Sequence, residues 1–304
     1  MLPELFRLPL VNLPIHTYGV MIVIGFLCAT YIGYRRCLRY GKYENDMLDF
    51  AFWALIGGII GARIVFIAVE WKSYFIERPW TEIAALGIKI PSVFALWQGG
   101  IVYWGSFLGG FIAFLIFARK RKIDMLVFCD LVIVGVPFAQ MFGRLGCVAA
   151  GCCWGQGAYH IDTVGKVIAD LPVSMRFPPG SSAYGSLFQS GSEQVREFML
   201  LNGTTVPLFP SQLAEAFGAL CIFFILLWMS PRKWFHGQLL LAYVALYSVM
   251  RFILELYRGD IERGYVIDGI LSTSQFISLL VIGVTVVVFF VLRKNRGSAQ
   301  DIGS

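Results

Sequence analysis

Apolar residues in this chain gather into seven long runs, near residues 17–36, 47–70, 97–118, 125–146, 209–230, 237–257 and 273–292. A helix needs about 20 predominantly apolar residues to cross the hydrocarbon core of a bilayer, so each run predicts one membrane-spanning helix. The glycine pairs Gly57-Gly58, Gly99-Gly100 and Gly109-Gly110 inside these runs predict close helix packing in lipid. One polar interval is far longer than the rest. Residues 147–208 are rich in Gly, Ser and Pro, with turn chemistry at Phe177-Pro178-Pro179-Gly180 and Ser181-Ser182. At that length the interval predicts a small folded head rather than a connector. The pattern reads as an all-α membrane protein: a single polytopic domain over 1–304, with a head at 147–208 between spans four and five.

Composition sharpens this picture. Of 304 residues, 58% are hydrophobic and only 14% charged, where a soluble domain carries about 25% charged residues. The net charge of +6 is not a nucleic-acid footprint, because the basic residues lie in short clusters between apolar runs. Arg35, Arg36, Arg39 and Lys42 follow span one, Arg119 to Lys122 follow span three, Arg232 and Lys233 follow span five, and Arg293, Lys294 and Arg296 follow span seven. All four clusters fall on one side, which the positive-inside rule makes cytoplasmic. The N-terminus is then outside, the C-terminus inside, and the 147–208 head outside. Residues 1–12 lack the pattern of a cleaved leader, so the first run is expected to remain as a span.

Chemistry concentrates in few places. Gly143-Arg144-Leu145-Gly146-Cys147 sets an arginine at the expected outer end of span four. Its guanidinium fork matches a phosphodiester, and the glycines after it are expected to expose backbone N–H groups; the competing reading is an arginine snorkelling to headgroups. Arg251, Glu255 and Arg258 are spaced to share one helical face at the end of span six. There Glu255 is expected to hold both arginines while Arg251 meets a ligand. Glu215, after Pro210-Ser211-Gln212-Leu213, reads as a charge in an ordinary helix start, and Arg63 is expected to pair with Glu215 or Glu255. His16, His160 and His236 have no ligand-spaced neighbours. Cys147, Cys152 and Cys153 form the one cysteine cluster; lacking a C-x-x-C, it predicts no metal and no cofactor, though a Cys147 bridge to Cys152 or Cys153 is compatible with an oxidising outer face. Cys28, Cys37, Cys129 and Cys221 read as small hydrophobes.

Taken in order, these segments resemble the prolipoprotein diacylglyceryl transferases, seven-span enzymes of the bacterial inner membrane. His16-Thr17-Tyr18-Gly19, Gly99-Gly100 with Gly105, Gly143-Arg144-Leu145-Gly146, Pro210-Ser211-Gln212-Leu213 with Glu215, Arg251-x3-Glu255-x2-Arg258 and Ser274-Gln275 are similar to the family's motifs. The resemblance implies transfer of the diacylglyceryl group of phosphatidylglycerol to the lipobox cysteine of a prolipoprotein signal peptide, with release of glycerol 1-phosphate. It implies an active site facing the outer leaflet, and no nucleic-acid partner. Arg144 and Arg251 would hold the lipid phosphate and Glu255 would orient Arg251. Tyr18, Gly99, Gly100, Trp104, Gly143, Gly146, Gln212 and Arg258 would contact substrate.

Two departures matter. Where the family often carries a histidine that helps activate the thiol, this chain has Tyr103-Trp104; where it carries Asn and Glu after the arginine signature, this chain has Cys147 and Cys152. Tyr103, His16 and His160 are the candidate substitutes, with Tyr103 placed in the catalytic set, and an external base or water is the further alternative. Two other classes stay open: a lipid-binding or transporter-like homologue without the chemistry, and a membrane thiol oxidoreductase using the three cysteines.

Overall fold

A computed structural model describes residues 4–8, 13–72, 75, 80–83, 88–92, 102–162, 167–259, 264–267 and 271–294. Among these residues the chain forms ten α-helices: α1 Thr17–Tyr40, α2 Glu44–Val69, α3 Tyr103–Arg121, α4 Met125–Val132, α5 Gly135–Ala150, α6 Ser182–Ser190, α7 Glu193–Asn202, α8 Ser211–Met229, α9 Gln238–Glu255 and α10 Thr273–Lys294. Four two-stranded pairings join them: β1 Glu4–Leu8 with β2 Leu13–His16, β3 Trp80–Ile83 with β4 Ile88–Pro91, β5 Tyr159–Ile161 with β6 Val167–Ala169, and β7 Tyr265–Ile267 with β8 Leu271–Ser272. The protein is a helical, multi-pass membrane protein. Five helices (α1, α2, α8, α9 and α10) are long and apolar enough to span a bilayer, and six spans result if α4 and α5 count as one.

The fourth expected span differs from its prediction. Instead of one helix over 125–146, α4 and α5 meet at a 43° bend. Pro137 explains it: proline cannot donate to the carbonyl four residues back, and its ring clashes there. The Val136 N–H bonds the Ile133 carbonyl at 3.2 Å instead. The helix also runs further, to Ala150, and turns only at Gly151, whose φ of +66° needs no Cβ. Gly143 and Gly146 are therefore helical, so Gly146 does not provide the exposed backbone N–H expected after Arg144. The third expected span, 97–118, overlaps the 19-residue α3, which ends in Arg119-Lys120-Arg121 and is not one of the helices long and apolar enough to span by itself; Gly99 and Gly100 lie outside the described residues.

The fold divides into two compact units. In the smaller, built around α2 and α3, the backbones meet on small residues. A Cβ on Gly61 would sit 2.7 Å from the Gly109 Cα, and one on Gly105 would sit 2.8 Å from the Ala62 Cα. The contacts follow i, i+4 spacing (Gly57 and Gly61 against Gly105 and Gly109), not the adjacent pairs singled out in the sequence. Only residues about four apart share a helix face; Gly58 and Gly110 meet nothing closer than 3.5 Å. Arg63 is buried in this unit and its Nη2 donates to the Ser92 carbonyl at 2.9 Å.

The larger unit packs α5, α8, α9 and α10 with the first part of α1. Val134, Ile222, Phe223, Leu226 and Leu239 form its buried core, with Phe138, Tyr243 and Met250 against it. Asp130, fully buried in α4, accepts hydrogen bonds from the N–H groups of Gly237, Leu239 and Leu240 and an ion pair from Lys233 Nζ at 3.1 Å. It thus caps α9 from another helix, at the end where the dipole favours an anion. Residues 151–210 have a small core of their own: Val167, Phe177, Ala183, Val195, Met199, Val206 and Leu208 are buried together. Ser181 and Ser192 cap α6 and α7 through their side chains.

Candidate active site

Charges from three helices of the larger unit converge on one carboxylate. Glu215, in the second turn of α8, is 3% exposed. Arg144 of α5 places Nε 2.6 Å from its Oε2, while Arg251 of α9 and Arg258, just beyond α9, place Nη1 at 3.4 and 3.3 Å from its Oε1. Arg251 also pairs with Glu255 through Nη2 at 2.7 Å and donates to Ser274 Oγ at 3.4 Å. Ser272 Oγ donates to the other oxygen of Glu255 at 3.2 Å. Among the described residues, these ion pairs set three guanidinium groups against two carboxylates, an excess of one formal positive charge. In an apolar surround that is a strong pull on a single anion, because buried charges persist only when paired.

Local chemistry explains why each side chain is held. Ser272 and Gln275 form a reciprocal cap at the start of α10: the Gln275 N–H donates to Ser272 Oγ at 3.2 Å, and the Ser272 N–H to Gln275 Oε1 at 3.1 Å. The cap fixes the serine hydroxyl on Glu255. The loop after α5 is clamped on both sides. The Gly155 N–H donates to the Phe209 carbonyl at 3.2 Å, and the Gln156 N–H to the Tyr257 carbonyl at 2.9 Å. A Cβ on Gly155 would meet the Tyr257 carbonyl at 2.9 Å, so a glycine is required there. This clamp joins the segment after Arg144 to the ends of α8 and α9.

The cysteine cluster sits on that clamped loop. The Sγ atoms of Cys147, Cys152 and Cys153 all lie within 4.8 Å of one another, and all are free thiols. Gln212 Nε2 donates to the Cys152 carbonyl and Ser211 Oγ to the Cys153 carbonyl, each at 2.8 Å. Cys153 is held at φ +59°, a left-handed conformation that β-substituted residues adopt at a cost. Hydrogen bonds from the Cys147 and Cys152 thiols hold the Cys153 thiol below the ordinary range; burial opposes this, and the Arg258 and Arg144 guanidinium groups add to the lowering. Tyr18 of α1 packs on the same segment, its ring 2.9 Å from where a Cβ on Gly146 would stand.

Several expectations change here. The shared carboxylate is Glu215, which the sequence presented as an ordinary helix-start charge; Glu255 pairs with Arg251, and Arg258 lies on Glu215. Glu215 pairs with three arginines of its own unit. Arg144, Arg251, Glu255, Arg258, Gln212 and Tyr18 are brought together with Gly146, whereas Gly143 has nothing within 4 Å of its Cβ position. Trp104 is 67% exposed in the first turn of α3, edge-on to Phe107, and the Tyr103 side chain lies outside the described residues. His16 is exposed at the end of β2, and His160 Nδ1 is 2.5 Å from Asp170 Oδ1 on the β5–β6 hairpin. Sequence reasoning quoted Glu215 and Ser211 within a motif but gave them no role in the site, and did not single out Ser272. The usable signal was an acid inside a 19-residue apolar helix, which requires a cation.

A family profile described as prolipoprotein diacylglyceryl transferase matches residues 3–291. The chain belongs to this family. It is 31% identical over 296 residues to the phosphatidylglycerol–prolipoprotein diacylglyceryl transferase of Clostridium tetani, covering 97% of this chain and all of that one. It is 29% identical over 290 residues to transferase 2 of Clostridium perfringens, covering 95% of each. With the enzyme of the same name from Oceanobacillus iheyensis it shares 30% identity over 283 residues, 93% of this chain and 86% of that one. The arginine–glutamate cluster of the transferase is thus built from Arg144, Glu215, Arg251, Glu255 and Arg258.

Proposed function

We propose that this protein transfers the diacylglyceryl group of phosphatidylglycerol to the lipobox cysteine thiol of prolipoproteins, at the outer face of the bacterial inner membrane. Its α3 completes seven spans with the N-terminus outside and the C-terminus cytoplasmic, which puts residues 151–210 outside beside the site. In the reaction the substrate thiolate forms a C–S bond at the glyceryl carbon as that carbon's bond to the phosphate oxygen breaks. The electron pair leaves on glycerol 1-phosphate.

The observation that carries this reading is the net positive charge of the buried cluster around Glu215. Phosphatidylglycerol carries one negative charge on its phosphodiester, and the phosphate gains a second as the C–O bond breaks. Donors fixed in advance stabilise the developing charge without reorganising, which is worth about 10²–10³ in rate for each donor. Arg144 meets Glu215 through Nε, leaving its Nη edge to face the phosphate bidentately. Arg251, held by Glu215, Glu255 and Ser274, is the second donor, and Glu255 is a positioning residue. The Gln212 side chain uses its nitrogen on Cys152; its Oε1 is buried with no hydrogen-bond partner among the described residues, and accepts from a headgroup hydroxyl.

Transfer of labelled diacylglyceryl from phosphatidylglycerol to a lipobox peptide by the purified protein tests this. Thioether product, absent with the Cys→Ser peptide, is expected. A folded preparation that binds phosphatidylglycerol but makes no product would instead be a non-catalytic homologue.

A further inference from the structure

Among the described residues, the charged groups of the site offer the substrate thiol neither a histidine nor an unengaged carboxylate as base. Glu215 and Glu255 are each engaged by guanidinium groups. His160 is committed to Asp170 on the hairpin. What the same loop does offer is three sulfur ligands. Cys147, Cys152 and Cys153 place their Sγ atoms within 4.8 Å of one another. Zinc–sulfur bonds are about 2.3 Å, so two thiolates in a tetrahedral site stand about 3.8 Å apart. The trio closes to that spacing by about 1 Å for its widest pair, within reach of small side-chain rotations.

Three protein ligands and one open position are the pattern of a catalytic rather than a structural zinc site. The surroundings suit it. Gly151 turns the chain directly before Cys152, Gln212 and Ser211 fix the Cys152 and Cys153 carbonyls, and the left-handed Cys153 turns its sulfur to the same side as the other two.

We propose that Cys147, Cys152 and Cys153 bind one zinc ion whose open fourth position takes the thiol of the prolipoprotein cysteine. The inference rests on the transferase reading above. A thiol that coordinates zinc is deprotonated outright, and its proton leaves to water. The bound thiolate then attacks the glyceryl carbon, the C–S bond forms as the carbon–oxygen bond to phosphate breaks, and the phosphate leaves with the bonding pair, neutralised by Arg144 and Arg251. Zinc is neither oxidised nor reduced. In this chain the metal would do the work of a thiol-activating base.

The test uses the full chain in detergent. Wild type loaded with zinc and freed of excess is expected to hold about one zinc per chain, and C152S and C153S at least tenfold less, while C28S and C221S keep it. Zinc should also shield Cys147, Cys152 and Cys153 of the wild type, but not Cys28 and Cys221, from alkylation read by mass spectrometry, which does not depend on any variant folding. Cobalt in place of zinc should give thiolate charge-transfer bands, and its ligand-field spectrum should shift with a lipobox peptide but not with the Cys→Ser peptide. Folded wild type without stoichiometric zinc, a trio left unshielded, or a cobalt spectrum indifferent to the peptide would overturn the proposal. Chelated protein that transfers at the full rate would overturn it too and leave the transferase reading standing. A peptide-sensitive cobalt site in a protein that makes no thioether would overturn the transferase reading instead.

Discussion

Glu215 sits at the centre of the charge network because three guanidinium groups reach its carboxylate together. Replacing it with Gln removes the anion and leaves like charges facing one another in an apolar surround, a change that costs about 3–5 kcal/mol when one partner of a buried pair is lost. Glu215→Gln is expected to lower both the melting temperature and the transfer rate, whereas Glu255→Gln, which touches Arg251 alone among the arginines in the ion pairs described, should lower transfer with a smaller thermal shift. Equal melting shifts for the two would contradict the shared role of Glu215. Arg144 makes a sharper case. Arg144→Lys keeps the charge, so it should still pair with Glu215, but lysine has no fork left for a phosphate. We expect transfer to fall by about 10²-fold with little change in stability; Arg144→Lys at near-normal turnover would sink the phosphate role.

Among the elements, α2 and α3 depend on backbone contact and α9 depends on a cap. Gly109→Ala puts a Cβ against Gly57 and Gly61, where backbone atoms cannot yield, so the helices must separate. Gly110→Ala, one residue along, meets only the Ala54 carbonyl at 3.7 Å. Thermal unfolding in detergent should show a marked loss for the first and almost none for the second. Asp130→Ala leaves Lys233 without its carboxylate and the Gly237, Leu239 and Leu240 N–H groups without their acceptor. A loss of about 3 kcal/mol is expected, with the phosphate cluster intact, so phosphatidylglycerol binding below the melting point should persist. Most of the helices were legible in advance because apolar run length is a local property; the bend was not placed. Pro137 and Gly135 stood in the sequence, but a proline in a membrane helix kinks it only where neighbours accept the change.

At the scale of the whole chain, the basic clusters after alternate apolar runs are what the proposed orientation rests on. Single-cysteine reporters at 120 and 233 should resist a membrane-impermeant reagent in intact cells, and one at 185 in α6 should react, on a background lacking the exposed native thiols. Labelling at 120 would reverse the orientation. The comparison with known enzymes extends over nearly the full chain, from residue 3 to residue 291, in keeping with motifs spread from Tyr18 to Gln275.

The sequence alone determined the solvent of this protein, the position of most of its spans, and its family: hydrophobic run length, charge bias and short motifs are all read within a few residues. It also named Arg144, Arg251, Glu255 and Arg258, because an ionised group in an apolar segment is costly enough to stand out. Only the tertiary structure decided which carboxylate those arginines share and that three cysteines meet on one loop. Glu215 lies 71 residues from Arg144 and 36 from Arg251 in the chain, and no local pattern ranks it above Glu255. Ion pairs form by distance in space, and that distance was fixed by the clamp of Gly155 and Gln156 between Phe209 and Tyr257.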